Sequence, residues 1–428
     1  MLWFQSKILK VFLAKCLKLL FRRWAANSPL TKSGTVLADC LNLMKFQQSM
    51  NLLRAFRRLQ QGKCNDYHSL NKIMSALTVN NVRVAGLSAC VPEKVEENLT
   101  LSIFENEDEA NKIFASTCIE WKYVVDSGTT ASDLTVVAVE KMIAELGWEK
   151  ESLDLLVYVC QSRDYIAPMT SCILQDRLGF SKGCCVMDVP LGCCGFVNGM
   201  SIAASMLSHG GLKRGLMINA ETNSTNRNKR DRTVRPLFAD AATVTALEYD
   251  VNAKPMNFTF GVDGSGISAI YTKYGGMRYP ITPETLQEKE VEPGIIRKGN
   301  DMVVNGMDVF SFAIKVPPCA LKECIAQYNI NVDTIDLLLL HQANKFIDEK
   351  IRKSIKIPAE KCPYCLADYG NVTCASIPLT LVTQCKERLH NNANHILACC
   401  VGVCLQWACM EFNIDNIVCT DVQIYKSK

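Results

Sequence analysis

The chain has 428 residues, of which 48% are hydrophobic and 21% are charged, so it is long enough to bury a large core or two domains. The net charge of +4 conceals an asymmetry, because residues 1–63 carry twelve Lys and Arg residues and one acidic residue, which leaves −7 for the rest. The acidic main body excludes an extended nucleic-acid-binding surface.

Residues 1–73 form a separate N-terminal extension. Lysines between Lys7 and Lys18 interrupt its apolar run, which falls short of the roughly 18–20 residues of a membrane span. The pattern predicts a basic amphipathic helix that lies on a membrane or serves as a targeting segment, and any membrane contact would come from it. The alternative is that the working protein begins at Met74, where a well-patterned domain starts.

Cysteine is abundant, with 22 residues against five histidines. Adjacent pairs in apolar runs, such as Cys399-Cys400, suit a packed core rather than a disulfide framework. No C-x2-C pair is matched by a second pair or by histidines at zinc spacing, so no metal site is expected. We therefore expect a reducing compartment and a cytoplasmic location.

After residue 80, strand-like apolar runs alternate with helical stretches, which is typical of an α/β layered fold. Three pairs of strand-like segments recur in the same order at spacings of 180 to 182 residues, which indicates an internal duplication. The pairs are SLDLLVYV (152–159) with TIDLLLLH (334–341), VMD (186–188) with LAD (366–368), and GLMINA (215–220) with ILACCV (396–401). We expect an N-terminal half at 80–250 and a C-terminal half at 251–428, with loops that meet at a shared site.

A candidate nucleophile lies in the segment DVPLGCCGFVNGMSIAASML (188–207). There an apolar strand ends, a Gly-Cys-Cys-Gly turn follows and a helix of small and apolar residues begins. A cysteine in the first turn of a buried helix is close to backbone N–H groups and to the positive end of the helix dipole, which favour the thiolate. On this pattern Cys193 or Cys194 is the nucleophile, or both are core residues.

Two polar residues of the second half stand where α/β active sites form. His341 ends an apolar strand, although taken singly it could be a core histidine. Asn371 follows a glycine in a turn before a small-residue helix, and by the duplication it corresponds to Cys193. A thiolate beside an imidazole and an amide suits acyl transfer, because the thiolate attacks a thioester and the other two groups stabilise negative charge on a carbonyl oxygen.

Five segments together resemble the β-ketoacyl-acyl-carrier-protein synthase III family, whose members are thiolase-fold condensing enzymes. The segments are GCCGFVNGMSIA, DRTVRPLFADAATVTALEYD, NGMDVFSFAIK, HQAN and YGNVTCASIPLTL, and the resemblance covers about residues 80–428. It implies a thiolase-like α/β fold in which two duplicated halves stack as α-β-α-β-α layers.

The resemblance identifies Cys193 as the nucleophile and His341 and Asn371 as its catalytic partners. It implies that Cys193 takes an acyl group from a thioester. A malonyl thioester then loses carbon dioxide while His341 and Asn371 hold its thioester oxygen, and the carbanion attacks the acyl-cysteine. Backbone N–H groups of Cys193 and Val403 would form the oxyanion hole.

Further positions follow from the same resemblance. Asn344, Phe238 and Phe310 would contact the substrate and its pantetheine arm, and Arg232 would lie near the phosphate of the carrier or of coenzyme A. The basic run NRNKRDRTVR (226–235) would dock an acidic acyl carrier protein. No cofactor is implied, because substrates arrive on the phosphopantetheine of a carrier protein or of coenzyme A, and a homodimer is expected.

The chain departs from the family pattern in several places. It has Phe-Ala-Asp-Ala-Ala-Thr at 238–243 where the family has Phe-Gly-Asp-Gly-Ala-Gly, and its turn at 400–404 has less glycine. Lys112 and Ser116 stand where members that use acyl-coenzyme A carry Trp and Arg, so we expect an acyl-carrier-protein donor. Larger residues in place of glycine reshape pockets, so acyl length does not carry over.

Other functions are compatible with the sequence. A non-condensing acyltransferase would keep Cys193 and pass the acyl group to an amine or hydroxyl. An inactive subunit would explain the lost glycines, but not the intact Cys-His-Asn set. Cys362-Pro-Tyr-Cys365 suggests a dithiol redox site, yet such a site needs its first cysteine at a helix N-terminus after an early strand.

Overall fold

The computed structural model describes residues 74–427, and the predicted extension at 1–73 lies outside the described residues. The strands in this range are β1 Ser75–Val79, β2 Val82–Pro92, β3 Val95–Glu97, β4 Trp121–Tyr123, β5 Leu155–Val159, β6 Cys185–Val189, β7 Arg214–Thr222, β8 Asp240–Tyr249, β9 Met256–Val262, β10 Ile270–Thr272, β11 Lys289–Glu292, β12 Ile295–Arg297, β13 Met302–Val304, β14 Leu337–Leu340, β15 Asn394–Gly402, β16 Gln406–Ile414, β17 Val418–Cys419 and β18 Gln423–Tyr425. The α-helices are α1 Glu107–Thr117, α2 Ala131–Leu146, α3 Thr170–Arg177, α4 Gly195–Leu207, α5 Gly306–Ala313, α6 Val316–Gln327, α7 Lys345–Ser354, α8 Leu366–Tyr369, α9 Ser376–Gln384 and α10 Lys386–Asn391.

Two large sheets repeat one pairing pattern. The larger has the order β17, β2, β8, β7, β5, β6, with β18 also on β2, and the smaller has the order β1, β9, β16, β15, β14. In the larger sheet β5 and β7 are parallel, while β7–β8 and β8–β2 are antiparallel. In the smaller sheet β14 and β15 are parallel, while β15–β16 and β16–β9 are antiparallel. This correspondence confirms the predicted duplication.

The two halves exchange their terminal strands. The first strand of the described range, β1, joins the smaller sheet, and the last two, β17 and β18, join the larger one. The division of the chain between residues 250 and 251 therefore stays a prediction, because each sheet draws strands from both sides of it.

One predicted strand is wrong. The segment LAD (366–368) lies in helix α8 instead of matching strand β6. The backbone N–H of Tyr369 bonds to the Cys365 carbonyl at 3.1 Å, and that of Gly370 bonds to the Leu366 carbonyl at 3.0 Å. These local bonds satisfy the segment's backbone without a neighbouring strand, so β14 stays at the edge of its sheet.

Within residues 74–427, apolar side chains form three cores between five layers of helices and sheets. The central core lies between the sheets and contains residues of α4 and α9, such as Phe196 and Ile377. The outer face of the larger sheet packs on α2 and α3, and that of the smaller sheet packs on α6 and α7. The order α-β-α-β-α confirms the predicted thiolase-like architecture. Among residues 74–427, no helix is both long enough and apolar enough to cross a membrane.

Helix α4 lies unusually close to strand β5 because two of its residues are glycines. A Cβ at Gly195 would stand 2.6 Å from one γ-carbon of Val159, and a Cβ at Gly199 would stand 2.7 Å from the other. The strand itself, Leu155–Val159, is buried along its whole length. The start of α4, and with it the Cys-Cys turn, is therefore fixed against β5, the second strand from one edge of the larger sheet.

Candidate active site

Cys193 and Cys194 share the turn between strand β6 and helix α4, but their surroundings differ. Cys194 is buried, and its thiol donates to the Gln406 carbonyl oxygen 3.4 Å away. Cys193 remains partly accessible. Cys193 is therefore the better placed of the two for attack on a substrate.

The turn that follows strand β15 packs directly on Cys193. A Cβ on Gly402 would stand 2.5 Å from the Cys193 Cβ and 3.2 Å from its Sγ, so only glycine fits. Burial raises the pKa of the Cys193 thiol to about 12, and the backbone N–H groups of Cys193 and Val403 oppose that rise. The two donors predicted for the oxyanion hole therefore lie beside one sulfur atom.

His341 directly follows strand β14 and is buried. Its backbone N–H bonds to the Cys399 carbonyl at 3.0 Å, while its Nδ1 has no partner within the part of the chain that the structure describes. Burial lowers the pKa of the imidazole to about 4, against a smaller opposing effect of the Thr373 backbone. The ring is therefore neutral at pH 7, with one N–H to donate to a substrate oxygen.

Asn371 is held by the segment that leads into strand β8. Its backbone N–H donates to the Leu237 carbonyl at 2.9 Å, and its own carbonyl accepts from the Ala239 N–H at 3.1 Å. Gly370 precedes it with φ of 67°, a conformation that favours glycine. The side-chain Oδ1 accepts from the Thr373 N–H at 2.9 Å, which leaves the Nδ2 amide as a donor for a substrate oxygen.

One short turn links the three predicted catalytic residues. The Thr373 backbone bonds to the Asn371 side chain and lies near the ring of His341. The next residue, Cys374, reaches the other half, because its Cβ lies 2.7 Å from where a Cβ of Gly195 would be. Gly195 is two residues beyond the predicted nucleophile Cys193, so loops from both halves converge on one site.

The predicted substrate-binding residues lie in two places. Phe238 is buried and pairs with Asn371 through the backbone. Asn344 caps helix α7, since its Oδ1 accepts from the Phe346 N–H at 2.9 Å. Phe310 on α5 stacks on Phe346 with ring centroids 6.2 Å apart, and both rings are exposed. Their contacts with a substrate stay predictions.

The basic run 226–235 does not form an open cationic surface. Arg232, predicted near a phosphate, contacts the carboxylates of Glu105 and Glu109 at 3.2 and 2.9 Å. The other arginines of the run are also engaged or buried: Arg230 pairs with Glu288, Arg235 pairs with Glu96, and Arg227 is buried. Lys229 is exposed. Because the arginines of the run are paired or buried, the structure does not favour this run as the docking surface for an acyl carrier protein.

Two buried charged residues of the site were not predicted. Glu221, near the end of β7, accepts from the backbone N–H groups of Gln161 at 2.9 Å and Ser162 at 3.1 Å. Burial raises its pKa to about 7. Arg227 is buried close enough to Cys193 for its charge to favour the thiolate. A charged residue directly after the mostly apolar run GLMINA (215–220) was a usable signal for Glu221, whereas Arg227 looked like any member of a basic run.

The CPYC motif does not form a dithiol site. Cys362 and Cys365 are both buried, and they contact different partners. The Cys362 thiol donates to the Tyr364 hydroxyl at 3.3 Å, and the Cys365 sulfur lies 3.1 Å from the Thr380 hydroxyl. Burial raises the pKa of each thiol to about 12. Unlike Cys193, neither thiol is accessible, and each contacts a different side chain, so the structure does not favour the redox hypothesis.

Two parts of the chain match one family. Residues 187–264 match the family described as 3-oxoacyl-[acyl-carrier-protein (ACP)] synthase III, and residues 325–414 match the C-terminal part of that family. The first range contains Cys193, and the second contains His341, Asn371 and Val403.

Similar proteins align over most of their length. The chain is 31% identical over 329 residues to beta-ketoacyl-[acyl-carrier-protein] synthase III of Caldanaerobacter subterraneus, which covers 76% of this chain and 95% of the relative. It is 32% identical over 300 residues to the protein of that name in Xanthomonas euvesicatoria, which covers 70% and 88%. The crystal structure of 3-oxoacyl-(acyl-carrier protein) synthase from Burkholderia xenovorans is 28% identical, with a TM-score of 0.76 over 82% of this chain and 99% of that structure.

Proposed function

The chain belongs to the 3-oxoacyl-[acyl-carrier-protein] synthase III family, and from this premise we propose that it condenses an acyl thioester with malonyl-acyl-carrier protein, with loss of carbon dioxide. The name that its relatives share supports a condensing transferase and does not favour transfer of the acyl group to an amine or hydroxyl. The observation that carries the proposal is the meeting of Cys193, His341 and Asn371 at the junction of the two halves.

The first half-reaction loads the enzyme. The Cys193 thiol gives up its proton, the thiolate attacks the acyl carbonyl carbon, and the carrier leaves as a thiol that takes up a proton. Burial opposes the thiolate, while the position of Cys193 before helix α4 and the nearby N–H groups favour it. The N–H groups of Cys193 and Val403 then stabilise the oxygen of the tetrahedral intermediate.

The second half-reaction forms the carbon–carbon bond. A malonyl thioester enters, its bond to the carboxylate breaks, and carbon dioxide leaves while the electron pair passes into an enolate. The neutral imidazole of His341 and the Nδ2 amide of Asn371 donate hydrogen bonds to the enolate oxygen. The enolate carbon attacks the acyl carbonyl on Cys193, and the thiolate leaves from the β-ketoacyl product.

A surface on helix α7 suits an acidic acyl carrier protein. We define the α7 patch as Phe310, Lys345, Phe346 and Lys350. Phe346 is 51% exposed and stacks on Phe310, and the Lys350 Nζ lies 5.2 Å from the Phe346 ring. An exposed aromatic pair with two lysines beside it attracts an acidic partner. Helix α7 also begins four residues after His341, which places the patch near the site. We propose that the carrier docks here, with its pantetheine arm directed toward Cys193.

A homodimer is also part of the proposal. Strand β6 pairs with β5 on one side, and within residues 74–427 its other edge has no partner strand. An unpaired edge strand is a template for pairing with a second chain, and closed two-fold dimers are the commonest assemblies. Sedimentation at micromolar concentration is expected to give a dimer, and a monomer would contradict this part of the proposal.

Intact mass measurement tests the loading step. The full chain, its Cys193→Ser variant and a matched Cys194→Ser variant are each incubated with acyl-carrier protein bearing short and medium acyl groups. We expect one acyl adduct on the parent and on Cys194→Ser, and none on Cys193→Ser. An adduct that persists on Cys193→Ser, or no adduct on the parent with any donor, would overturn the proposal.

A further inference from the structure

Arg227 is a buried cation whose direct partners are all neutral. The residue is 6% exposed. Nη1 donates to the Asn226 Oδ1 at 2.6 Å, and Nη2 donates to the Asn223 Oδ1 at 2.8 Å. Among the described residues Nε has no partner, and no carboxylate lies within ion-pair distance. A charge removed from water needs a counter-charge, so this guanidinium is incomplete without an anion.

The nearest carboxylates of the chain are committed elsewhere. Glu221, Asp240 and Asp301 influence the charge of Arg227 only at a distance, as does the Cys193 thiolate, whose charge is lost once Cys193 carries an acyl group. Each carboxylate accepts hydrogen bonds from backbone or amide N–H groups of other segments. These carboxylates lower the cost of burying the guanidinium, but they do not occupy its donors.

The guanidinium belongs to the active site. The amide of Asn223, which accepts from Arg227, donates to the Thr373 hydroxyl at 3.3 Å, and the Thr373 N–H donates to the Asn371 side chain. The Arg227 guanidinium also lies 4.6 Å above the ring of Phe238, which pairs with Asn371. Both routes connect the cation to the group that holds the substrate oxygen.

We propose that Arg227 binds the distal carboxylate of the acyl group carried on Cys193, so that the enzyme accepts half-thioesters of short dicarboxylic acids, such as succinyl. This inference rests on the proposed function, because it names the acyl class for the same nucleophile. A guanidinium presents a planar fork of N–H groups that fits a carboxylate. The acyl–Cys193 bond forms as the carrier thioester breaks and the carrier leaves as a thiol, and the distal carboxylate takes no part in that chemistry.

The malonyl carboxylate is a less suitable occupant. Decarboxylation removes the negative charge from that carboxylate, so a cation bound to it would stabilise the ground state more than the transition state and slow the reaction. The acyl group keeps its distal charge throughout, so the same cation would hold it without that cost.

The donor preference of the unmodified full chain tests this inference without a variant. Succinyl-carrier protein and succinamoyl-carrier protein differ only in a terminal carboxylate against a neutral amide of the same shape. Single-turnover loading, followed by intact mass without malonyl thioester, is expected to be at least about tenfold faster with succinyl, as a charge-assisted contact would give. Equal loading, or faster loading of the amide, would overturn the inference.

Variants separate this role from a structural one. Arg227→Gln is expected to bring the ratio of succinyl to succinamoyl loading close to one, Arg227→Lys to keep part of it, and the control Arg230→Gln to keep all of it. A ratio unchanged in Arg227→Gln, or a defect confined to malonyl decarboxylation, would overturn the inference. If the enzyme loads only neutral donors, this inference is wrong but the proposed function stands. If no donor loads the enzyme, both are wrong.

Discussion

Gly402 and Cys193 approach so closely that one methyl group at position 402 would stand 2.5 Å from the Cys193 Cβ. Gly402 ends strand β15 of the smaller sheet, and Cys193 precedes helix α4 on the larger sheet. The contact therefore sets the distance between the two halves at the Cys193 sulfur. It also carries the Val403 N–H to that sulfur.

Gly402→Ala is expected to slow acyl loading of Cys193 by about 10²-fold, because a displacement of about 1 Å at the reacting atoms costs that much. Single-turnover intact mass measures the rate. Gly264→Ala is the matched control, since a Cβ there meets no atom within 4 Å. Loading of Gly402→Ala at the parent rate would show that the contact does not position the nucleophile.

His341→Ala and Asn371→Ala are expected to separate the two half-reactions. Each removes a donor to the enolate oxygen, so decarboxylation of malonyl-carrier protein should fall by about 10²–10³-fold while loading of Cys193 falls much less. Carbon dioxide release and intact mass give the two rates. The exposed His209→Gln serves as control. Equal losses in both half-reactions would contradict the assigned roles.

The buried imidazole of His341 is expected to make folding sensitive to acid. Its pKa is lowered from 6.5 to about 4, so between these pH values the unfolded chain binds a proton that the folded chain does not. Stability should therefore fall as pH drops through this window, by about 2 kcal/mol from pH 7 to pH 5.

Urea unfolding of the parent and of His341→Gln isolates this effect. Glu221 and Asp240 act in the opposite direction, because burial raises their pKa values to about 7 and about 6, so their contribution is lost as pH rises. The difference in unfolding free energy between parent and variant cancels those groups. If this difference in unfolding free energy does not change with pH, the pKa of the His341 imidazole is the same in the folded and the unfolded chain.

The α7 patch is expected to govern the use of carrier-bound substrates. The double substitution Lys345→Glu, Lys350→Glu should raise the KM for acyl-carrier protein by roughly tenfold or more, because it reverses the charge facing an acidic partner. The KM for the same acyl group on free pantetheine should change little. Lys229→Glu, in the basic run, is the control. A larger effect of Lys229→Glu would show that the carrier docks on the basic run and not on the α7 patch.

The strands were predictable because burial on both faces leaves a plain signature. Leu155–Val159 and Leu337–Leu340 are apolar and buried runs, and both belong to sheets whose faces are covered by helices, although β14 lies at the edge of its sheet. The prediction of a strand at LAD (366–368) failed because this segment is too short to show an apolar pattern of that kind. Its structure depends on local backbone bonds rather than on its match to β6.

The motifs predict Cys193, His341 and Asn371 as catalytic residues, and the structure brings these residues together, but the motifs do not predict the charged groups around them. Arg227, Arg230 and Arg232 stand in one basic run and look alike in sequence. In the structure Arg227 is buried in the site, Arg230 pairs with Glu288, and Arg232 pairs with Glu105. The carboxylates that pair with Arg230 and Arg232 are distant along the chain, so no local sequence pattern separates these paired cations from the buried Arg227.

Product analysis of one complete turnover tests the central claim most directly. The full chain, loaded with one acyl group on Cys193, is mixed with malonyl-carrier protein, and carbon dioxide and the carrier-bound product are quantified together. We expect one carbon dioxide and one β-ketoacyl-carrier protein for each acyl group lost from Cys193. Loss of the acyl group to water, an amine or a hydroxyl, with malonyl-carrier protein intact, would contradict the assignment of this chain as a decarboxylative condensing enzyme.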